Sequence, residues 1–376
     1  MTLSTPGTMP EIELLAMDVA GRADRLRARL DQAECQALLV TNITNIRYLT
    51  GFTGSAALLL VHPDELVLVS DGRYREQLAM ELDAAGVEAR VEISSNGQQE
   101  LMTASAEGLA ALGLEASSVT WAQQRTYANA WFPDADLVPT IDLVEGLRQV
   151  KDEGEISRME AAAAVADAAL AAVRPSLNDE PTEEQFGLAL DSKIRELGAS
   201  GVAFETIVAA GANAARPHAR PTSKTIVAGD LVVIDFGAMI DGYRSDMTRT
   251  IIVGVPDSVQ ARMLDTVLAA QARGVQAIGP GVEAKAIDAA CRSYIDDEGW
   301  AEAFIHGTGH GVGLDIHEAP RVSKESDATL EAGHVVTVEP GIYLPEHGGV
   351  RIEDTVLVTS DGCRALTKSA KTTSVV

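Results

Sequence analysis

Histidine, cysteine and the aromatic residues are all scarce in this chain, and basic residues are far outnumbered by acidic ones. The three cysteines, Cys35, Cys291 and Cys363, are odd in number and far apart. They make neither a disulfide framework nor a zinc-finger spacing, so they are read as small core or surface residues. Lys plus Arg total 30 against 55 for Asp plus Glu, a formal net charge of −25. Such a surface repels nucleic acid and anionic membranes, and it attracts a positively charged peptide terminus. No apolar run approaches the ~20 residues that cross a bilayer. No Lys or Arg precedes Arg22, and Glu11, Glu13 and Asp18 interrupt the first stretch, which a secretory leader would not tolerate. A cytoplasmic location is the expectation.

The 376 residues suffice for two domains with sizeable cores. Up to about residue 135, helix-like and strand-like segments alternate. Arg22 to Gln32 reads as a helix, Ala37–Thr41 as a strand, Ala56–Val61 and Leu66–Ser70 as a pair joined at Pro63–Asp64, and Arg73–Leu82 as a helix. This is an α/β pattern. The polar strip from Asn42 to Gly54 reads as loop, helix, loop.

After a linker around Pro139 to Asp152 the rhythm changes. Ile156, Met159, Ala163, Ala166, Leu170 and Val173 form a helical stripe ended by Pro175. Thr182 and Gln185 make a capping box for a second helix that buries Phe186, Leu190, Ile194 and Leu197 and stops at Gly198. Strands are expected at Val202–Ala209, Leu231–Phe236 and Thr248–Val253. Helices at about 257–278 and 283–296 then precede strands at Phe304–Ile305, His334–Glu339 and Gly349–Thr359. Two helices then strands, twice over, describe an α+β domain built as a pseudo-duplicate. The division expected is 1–145 and 146–376.

The chemistry-bearing residues lie in the second region. Asp235 ends the apolar run Leu231 to Ile234, and Asp246 follows eleven residues later, across a turn at Asp241-Gly242. A hairpin there places the two carboxylates opposite or diagonal on one face, ~5 to 8 Å apart at Cβ. Carboxylates that close repel unless a cation lies between them. His306, His310 and His317 fall within the run 306–317, in a chain with 7 histidines, and glycines occupy positions 307, 309, 311 and 313. That alternation excludes a helix and brings backbone close to something. A dinucleotide loop fails, because Val312 sits where its third glycine belongs; metal and substrate binding fit better. Glu339, before Pro340-Gly341, and Glu353, between Ile352 and Asp354, are symmetric about the turn-rich 346–348 and are placed to face each other across a hairpin.

Asp, eleven residues, Asp, then His, then Glu-Pro-Gly, then Arg-Ile-Glu-Asp resembles the proline-specific metallopeptidases of the pita-bread superfamily, aminopeptidase P and prolidase. The likeness covers nearly the whole chain. Asn45-Ile46-Arg47-Tyr48-Leu49-Thr50-Gly51-Phe52 and Asp71-Gly72-Arg73-Tyr74 are similar to the creatinase-type N-terminal domain of the same group. The resemblance implies an α/β N-terminal domain followed by an α+β pita-bread domain with a pseudo-twofold repeat. It implies that Asp235, Asp246, His310, Glu339 and Glu353 hold two divalent ions, with Asp246 and Glu353 bridging them and Glu339 shuttling the proton. It places His218, His306 and His317 at the substrate and Arg351 beside the bridging acid, and it implies a homodimer or a dimer of dimers. His62, His334 and His347 match nothing and are read as structural or solvated. Four carboxylates and one imidazole suit Mn²⁺ best, with Co²⁺ and Zn²⁺ as alternatives.

The expected activity is release of the residue ahead of proline from peptide N-termini by an Xaa-Pro aminopeptidase. The alternative is an Xaa-Pro dipeptidase, which also needs a basic residue to clamp the free carboxylate, and Arg351 and Arg216 are the candidates. Methionine aminopeptidase lacks so large a leading domain. Creatinase works without this metal set, and a non-catalytic binding relative would have lost ligands that are intact here.

Overall fold

The computed structural model describes residues 14–371 and Ser374. Glu11 and Glu13 lie outside the described residues. Among these residues no helix is long and apolar enough to cross a membrane. The described residues form two compact units, one of residues 16–148 and one of residues 149–371 together with Leu14 and Leu15.

The smaller unit is a six-stranded sheet in the order β4-β3-β2-β1-β5-β6. Its strands are β1 (Ala37–Val40), β2 (Ala57–Val61), β3 (Leu66–Ser70), β4 (Arg90–Ile93), β5 (Ala111–Glu115) and β6 (Asp136–Thr140). β1 runs antiparallel to β2 and parallel to β5. Helices α1 (Arg22–Leu30), α2 (Ile43–Thr50), α3 (Arg75–Ala85), α4 (Gln98–Ser105), α5 (Trp121–Thr126) and α6 (Glu145–Arg148) accompany it. α2 is the helix expected within the polar strip: the Asn42 side chain caps its first turn and Gly51, at φ 77°, closes its last.

The larger unit repeats one plan twice. In the first half, α7 (Glu153–Val173) and α8 (Glu183–Glu196) pack on β8 (Ile207–Ala210), β9 (Leu231–Phe236) and β12 (Met247–Ile252). The short strands β7 (Gly201–Val202), β10 (Ala238–Ile240) and β11 (Tyr243–Arg244) form a separate three-stranded sheet. In the second half, α9 (Ser258–Gln276) and α10 (Ala284–Asp297) pack on a five-stranded sheet. It comprises β13 (Gly309–Gly311), β14 (Glu318–Val322), β15 (Val335–Val338), β18 (Asp354–Val358) and β19 (Cys363–Ala365), while β16 (Gly341–Leu344) and β17 (Gly348–Arg351) pair with each other.

The local chemistry explains the helix ends. Asp152, Thr182 and Asp257 each accept from the backbone three residues on, and Glu155, Gln185 and Gln260 reach back, closing capping boxes on α7, α8 and α9. The stripe from Ile156 to Val173 is buried along α7, as are Phe186, Leu190 and Ile194 on α8. Each half keeps its own apolar cluster. One gathers Ala166, Leu170 and Val173 of α7 and Phe186, Leu190 and Ile194 of α8 around Ile234 and Phe236; the other gathers Met263, Val267, Ile287 and Cys291 around Val336 and Val356.

Three expected strands differ. Phe304–Ile305 is not a strand, because the Phe304 carbonyl accepts from Arg292 instead of a ladder and Ile305 is largely exposed. Val202–Ala209 splits into β7 and β8, and Gly349–Thr359 breaks at Ile352-Glu353, where the chain passes from β17 to β18.

Asp241 and Gly242, at φ 46° and 78°, make the tight turn between β10 and β11. Gly237, between β9 and β10, lets Ser245 approach: a Cβ there would lie 1.9 Å from the Ser245 carbonyl oxygen. Backbone cannot swing aside as a side-chain tip can. Gly237→Ala is therefore expected to destabilise the fold by about 2–3 kcal/mol, read as a lowered urea midpoint. An unchanged midpoint would mean that this crossing is loose.

Candidate metal centre

The hairpin of β9 and β12 delivers the first two acids. Asp235 pairs with Thr248 in the ladder, so Asp246, two residues before Thr248, is its diagonal neighbour on the same face. The second sheet delivers the rest. Val338 pairs with Asp354 and Gly341 with Arg351, and this common register sets Glu339 across from Glu353. Both stand where one pair of strands gives way to the next, with side chains no longer committed to a sheet face. His310 is the middle residue of β13, which lies beside β15.

The five side chains converge on one cavity of about 650 Å³, also lined by His218, His306, His317 and Arg351. His310 Nε2 is 3.6 Å from Asp246 Oδ2 and 3.4 Å from Glu339 Oε1. Ligand atoms of Asp246, His310 and Glu353 all lie within 4.8 Å of one another. Asp246 and Glu353 are 4% and 1% exposed. Burial and the neighbouring acids push both carboxyls far above the ordinary carboxylate range. Burial pushes Glu339 up to about 7, with Arg351 opposing it and Asp235 adding to it.

Asp235 Oδ1 and Glu353 Oε1 are buried and receive no hydrogen bond. Buried carboxylate oxygens without donors are costly unless a cation meets them. His310 Nδ1 lies 2.9 Å from the Gly311 carbonyl, which places the proton there and leaves Nε2 as a lone pair facing Asp246 and Glu339. An oxygen-rich set with one imidazole, two orphaned oxygens and a bare ring nitrogen fits divalent cations.

Around this cage the structure refines the expected roles. Arg351 is not available to clamp a substrate carboxylate. Its Nη2 lies 2.6 Å from Asp235 Oδ2, its Nη1 donates to the Tyr343 hydroxyl at 2.9 Å and the Pro217 carbonyl at 3.2 Å, and its Nε to Thr248 Oγ1 at 3.0 Å. His306 reaches the cavity wall, but both ring nitrogens are engaged, Nδ1 with the Gly307 carbonyl at 2.7 Å and Nε2 with Tyr343 at 2.8 Å. Burial, with Arg351 nearby, pulls its pKa down to about 4. A neutral His306 thus accepts from Tyr343, which accepts from Arg351, which grips Asp235. Tyr343 escaped the sequence reading because an aromatic in the run 341–344 reads as core.

His317 packs edge-on against His310 with ring centroids 4.4 Å apart. His218 is exposed on the loop after β8. Glu183 pins that loop by accepting from Ala210 N, Asn213 Nδ2 and Thr222 N at 2.7, 2.9 and 2.9 Å. Asp288 and Arg292 on α10 hold the His306 loop through Thr308 and the His306 carbonyl. Arg216 turns to Asn213, whereas Arg321, on β14, lines the cavity. Of the remaining histidines, His334 accepts from Glu331 N and His347 lies 3.6 Å from Asp257.

The model of metallopeptidase family M24 matches residues 157–360, and that of the creatinase/prolidase N-terminal domain matches 22–150. The chain belongs to the M24 metallopeptidase family. A Pyrococcus horikoshii Xaa-Pro dipeptidase is 35% identical over 342 residues, 91% of this chain and 95% of that protein. The solved structure of a Bacillus anthracis Xaa-Pro dipeptidase superposes with TM-score 0.91 at 38% identity, covering 95% of this chain and all of the other. That of a Thermotoga maritima X-Pro aminopeptidase gives TM-score 0.85 at 33% identity, covering 94% of this chain and all of the other. This M24 chain thus shares the pita-bread fold and creatinase-type leading domain of its relatives.

The raised acids set a pH dependence. A carboxyl whose folded pKa exceeds its unfolded value binds a proton more tightly when folded, so stability rises as pH falls towards the folded pKa. Glu339, with its pKa near 7, gives up its remaining proton between pH 7 and 8.5, and Asp246 and Glu353 act in the same direction, whereas the buried histidines oppose them only below about pH 6.5. The metal-free protein is expected to melt at a higher temperature at pH 7 than at pH 8.5, and saturating Mn²⁺ should remove the difference. Equal melting of the metal-free protein at both pH values would show that these acids are not crowded together.

Proposed function

We propose that this protein is an Xaa-Pro dipeptidase whose five ligands, Asp235, Asp246, His310, Glu339 and Glu353, hold two divalent ions, Mn²⁺ being the best match to the donors. The observation that carries the dipeptidase reading is Arg321. It is an exposed cation on the wall of an acid-lined cavity, and no hydrogen bond or ion pair among the described residues occupies it. A guanidinium so placed offers a fork for the carboxylate that follows proline in a dipeptide. The names carried by the Pyrococcus and Bacillus relatives point the same way. Arg351, fully committed to Asp235 and Tyr343, leaves Arg321 as the clamp.

Bound ions of this kind supply an activated water and polarise the scissile carbonyl. Glu339, partly open to the cavity, takes the proton of the attacking water and returns it to the proline nitrogen. That return matters because the amide nitrogen is tertiary and leaves poorly unless protonated. His317 and His218, both on the cavity wall, donate to the oxygen on which negative charge develops. The substrate ammonium is drawn to the acids, and Arg351 with Tyr343 and His306 keeps Asp235 aimed inward.

The M24 aminopeptidase of Thermotoga maritima keeps an Xaa-Pro aminopeptidase as the second reading. Ala-Pro and Ala-Pro-Ala, assayed with Mn²⁺, separate the two. The dipeptide should show at least tenfold higher kcat/KM. Arg321→Ala should lower that value about 100-fold, on the scale of a lost charge-assisted contact, and change tripeptide cleavage much less. Faster cleavage of the tripeptide, with Arg321→Ala neutral on both, would overturn the dipeptidase assignment in favour of the aminopeptidase.

A further inference from the structure

Behind the cage, on the side away from the cavity, the C-terminal run from Leu366 to Lys371 lies against the corner that carries Glu353. Lys371 Nζ is 2.5 Å from Asp354 Oδ2 and 2.8 Å from Gln271 Oε1. The Ser369 carbonyl accepts from Arg249 Nε and Nη2 at 3.1 and 2.8 Å. Arg249 Nη2 also reaches Asp354 Oδ1 at 2.8 Å, and its Nη1 donates to the carbonyls of Glu353 and Thr248. Thr367 Oγ1 donates to Asp354 Oδ1 at 3.2 Å and Gln271 Nε2 to Asp354 Oδ2 at 3.0 Å. Asp167 on α7 anchors the run through the amides of Lys368 and Ser369, at 2.8 and 2.7 Å.

We infer that this segment is a strap that positions Glu353 for metal binding. The Glu353 side chain has little else to aim it: Oε2 accepts from Thr248 at 2.7 Å, and Oε1 has no donor. Its direction is therefore set by the backbone at Glu353-Asp354, which is held on one side by the Glu353 amide donating to the Thr248 carbonyl and by the pairing of Asp354 with Val338, and on the other by Arg249, itself held by the Asp354 carboxylate. Arg249 and Asp354 are buried at 3% and 4% side-chain exposure, so neither has water to fall back on. Four donors, one from β12, one from α9 and two from the strap itself, complete the Asp354 carboxylate. Lys371 supplies the second positive charge. Removing it leaves Arg249 as the sole counter-charge of a buried carboxylate, free to follow that carboxylate away from the Glu353 carbonyl. Lys371 is a positioning residue, since it acts on the ions only through Asp354 and Glu353. Groups behind metal ligands commonly contribute 10–100-fold to affinity.

The inference rests on the reading of Glu353 as a metal ligand, and calorimetric titration of chelator-stripped full-length protein with Mn²⁺ tests the two separately. Lys371→Ala is apt because that side chain is 32% exposed and its loss opens no core cavity. The variant should bind Mn²⁺ about tenfold more weakly while still folding, with a lower metal-free melting temperature from the loss of one counter-charge on Asp354. Lys371→Arg should restore affinity to within about threefold. Wild-type affinity in Lys371→Ala, or a loss not rescued by arginine, would overturn the strap. Should Lys371→Ala fail to fold, Thr367→Val, which removes one donor to Asp354 and the acceptor of the Thr355 amide, is read the same way. A wild-type chain that binds no Mn²⁺ would instead sink the metal-site reading.

Discussion

Four carboxylates, those of Asp235, Asp246, Glu339 and Glu353, line one cavity, and among the described residues one buried arginine, Arg351, reaches two of them, Asp235 and Glu339. In a low-dielectric setting such crowding is unfavourable by several kcal/mol per uncompensated charge. Neutralising acids by protonation is one escape, and the raised pKa values of Asp246, Glu339 and Glu353 describe it. Binding divalent cations is the other, and the orphaned oxygens of Asp235 and Glu353 mark where the missing positive charge belongs. Much of the surrounding architecture answers that one constraint, and the fold bears the repulsion because the ligands sit on paired strands backed by two separate apolar cores.

The duplicated plan lets distant residues meet. Each half places its acids where a ladder starts, ends or breaks: Asp235 near the end of β9, Asp246 just ahead of β12, Glu339 and Glu353 at the gap between strand pairs. At such positions a side chain is fixed by neighbouring backbone pairing without being spent on the sheet face. Around them runs a layer of groups that carry no chemistry themselves. His306 and Tyr343 steady Arg351, Glu183 and Asp288 pin the histidine loops, and Arg249 with Asp354 closes the back of the cage.

Much of this was legible in the residues. The apolar run into Asp235, the turn at Asp241-Gly242 and the symmetry of Glu339 and Glu353 about residues 346–348 led to pairings that the structure contains. The capping box of Thr182 and Gln185 marked a helix start. Less legible were relationships that need three dimensions. A histidine in a glycine-rich run says nothing of whether its ring nitrogens are already taken, as those of His306 are. Arg351 was an open choice as carboxylate clamp because its four partners come from segments up to 134 residues away. Nothing in the sequence around Arg321 singled it out, and the break at Ile352-Glu353 lay inside the run 349–359, which reads as one strand.

The most direct test of the central claim is to count and place the ions. A crystal of the Mn²⁺-loaded protein, measured at the manganese absorption edge, should show two anomalous peaks in the cavity, ligated by Asp235, Asp246, His310, Glu339 and Glu353. No peak there, or ions ligated by other side chains while these five stand apart, would contradict the account.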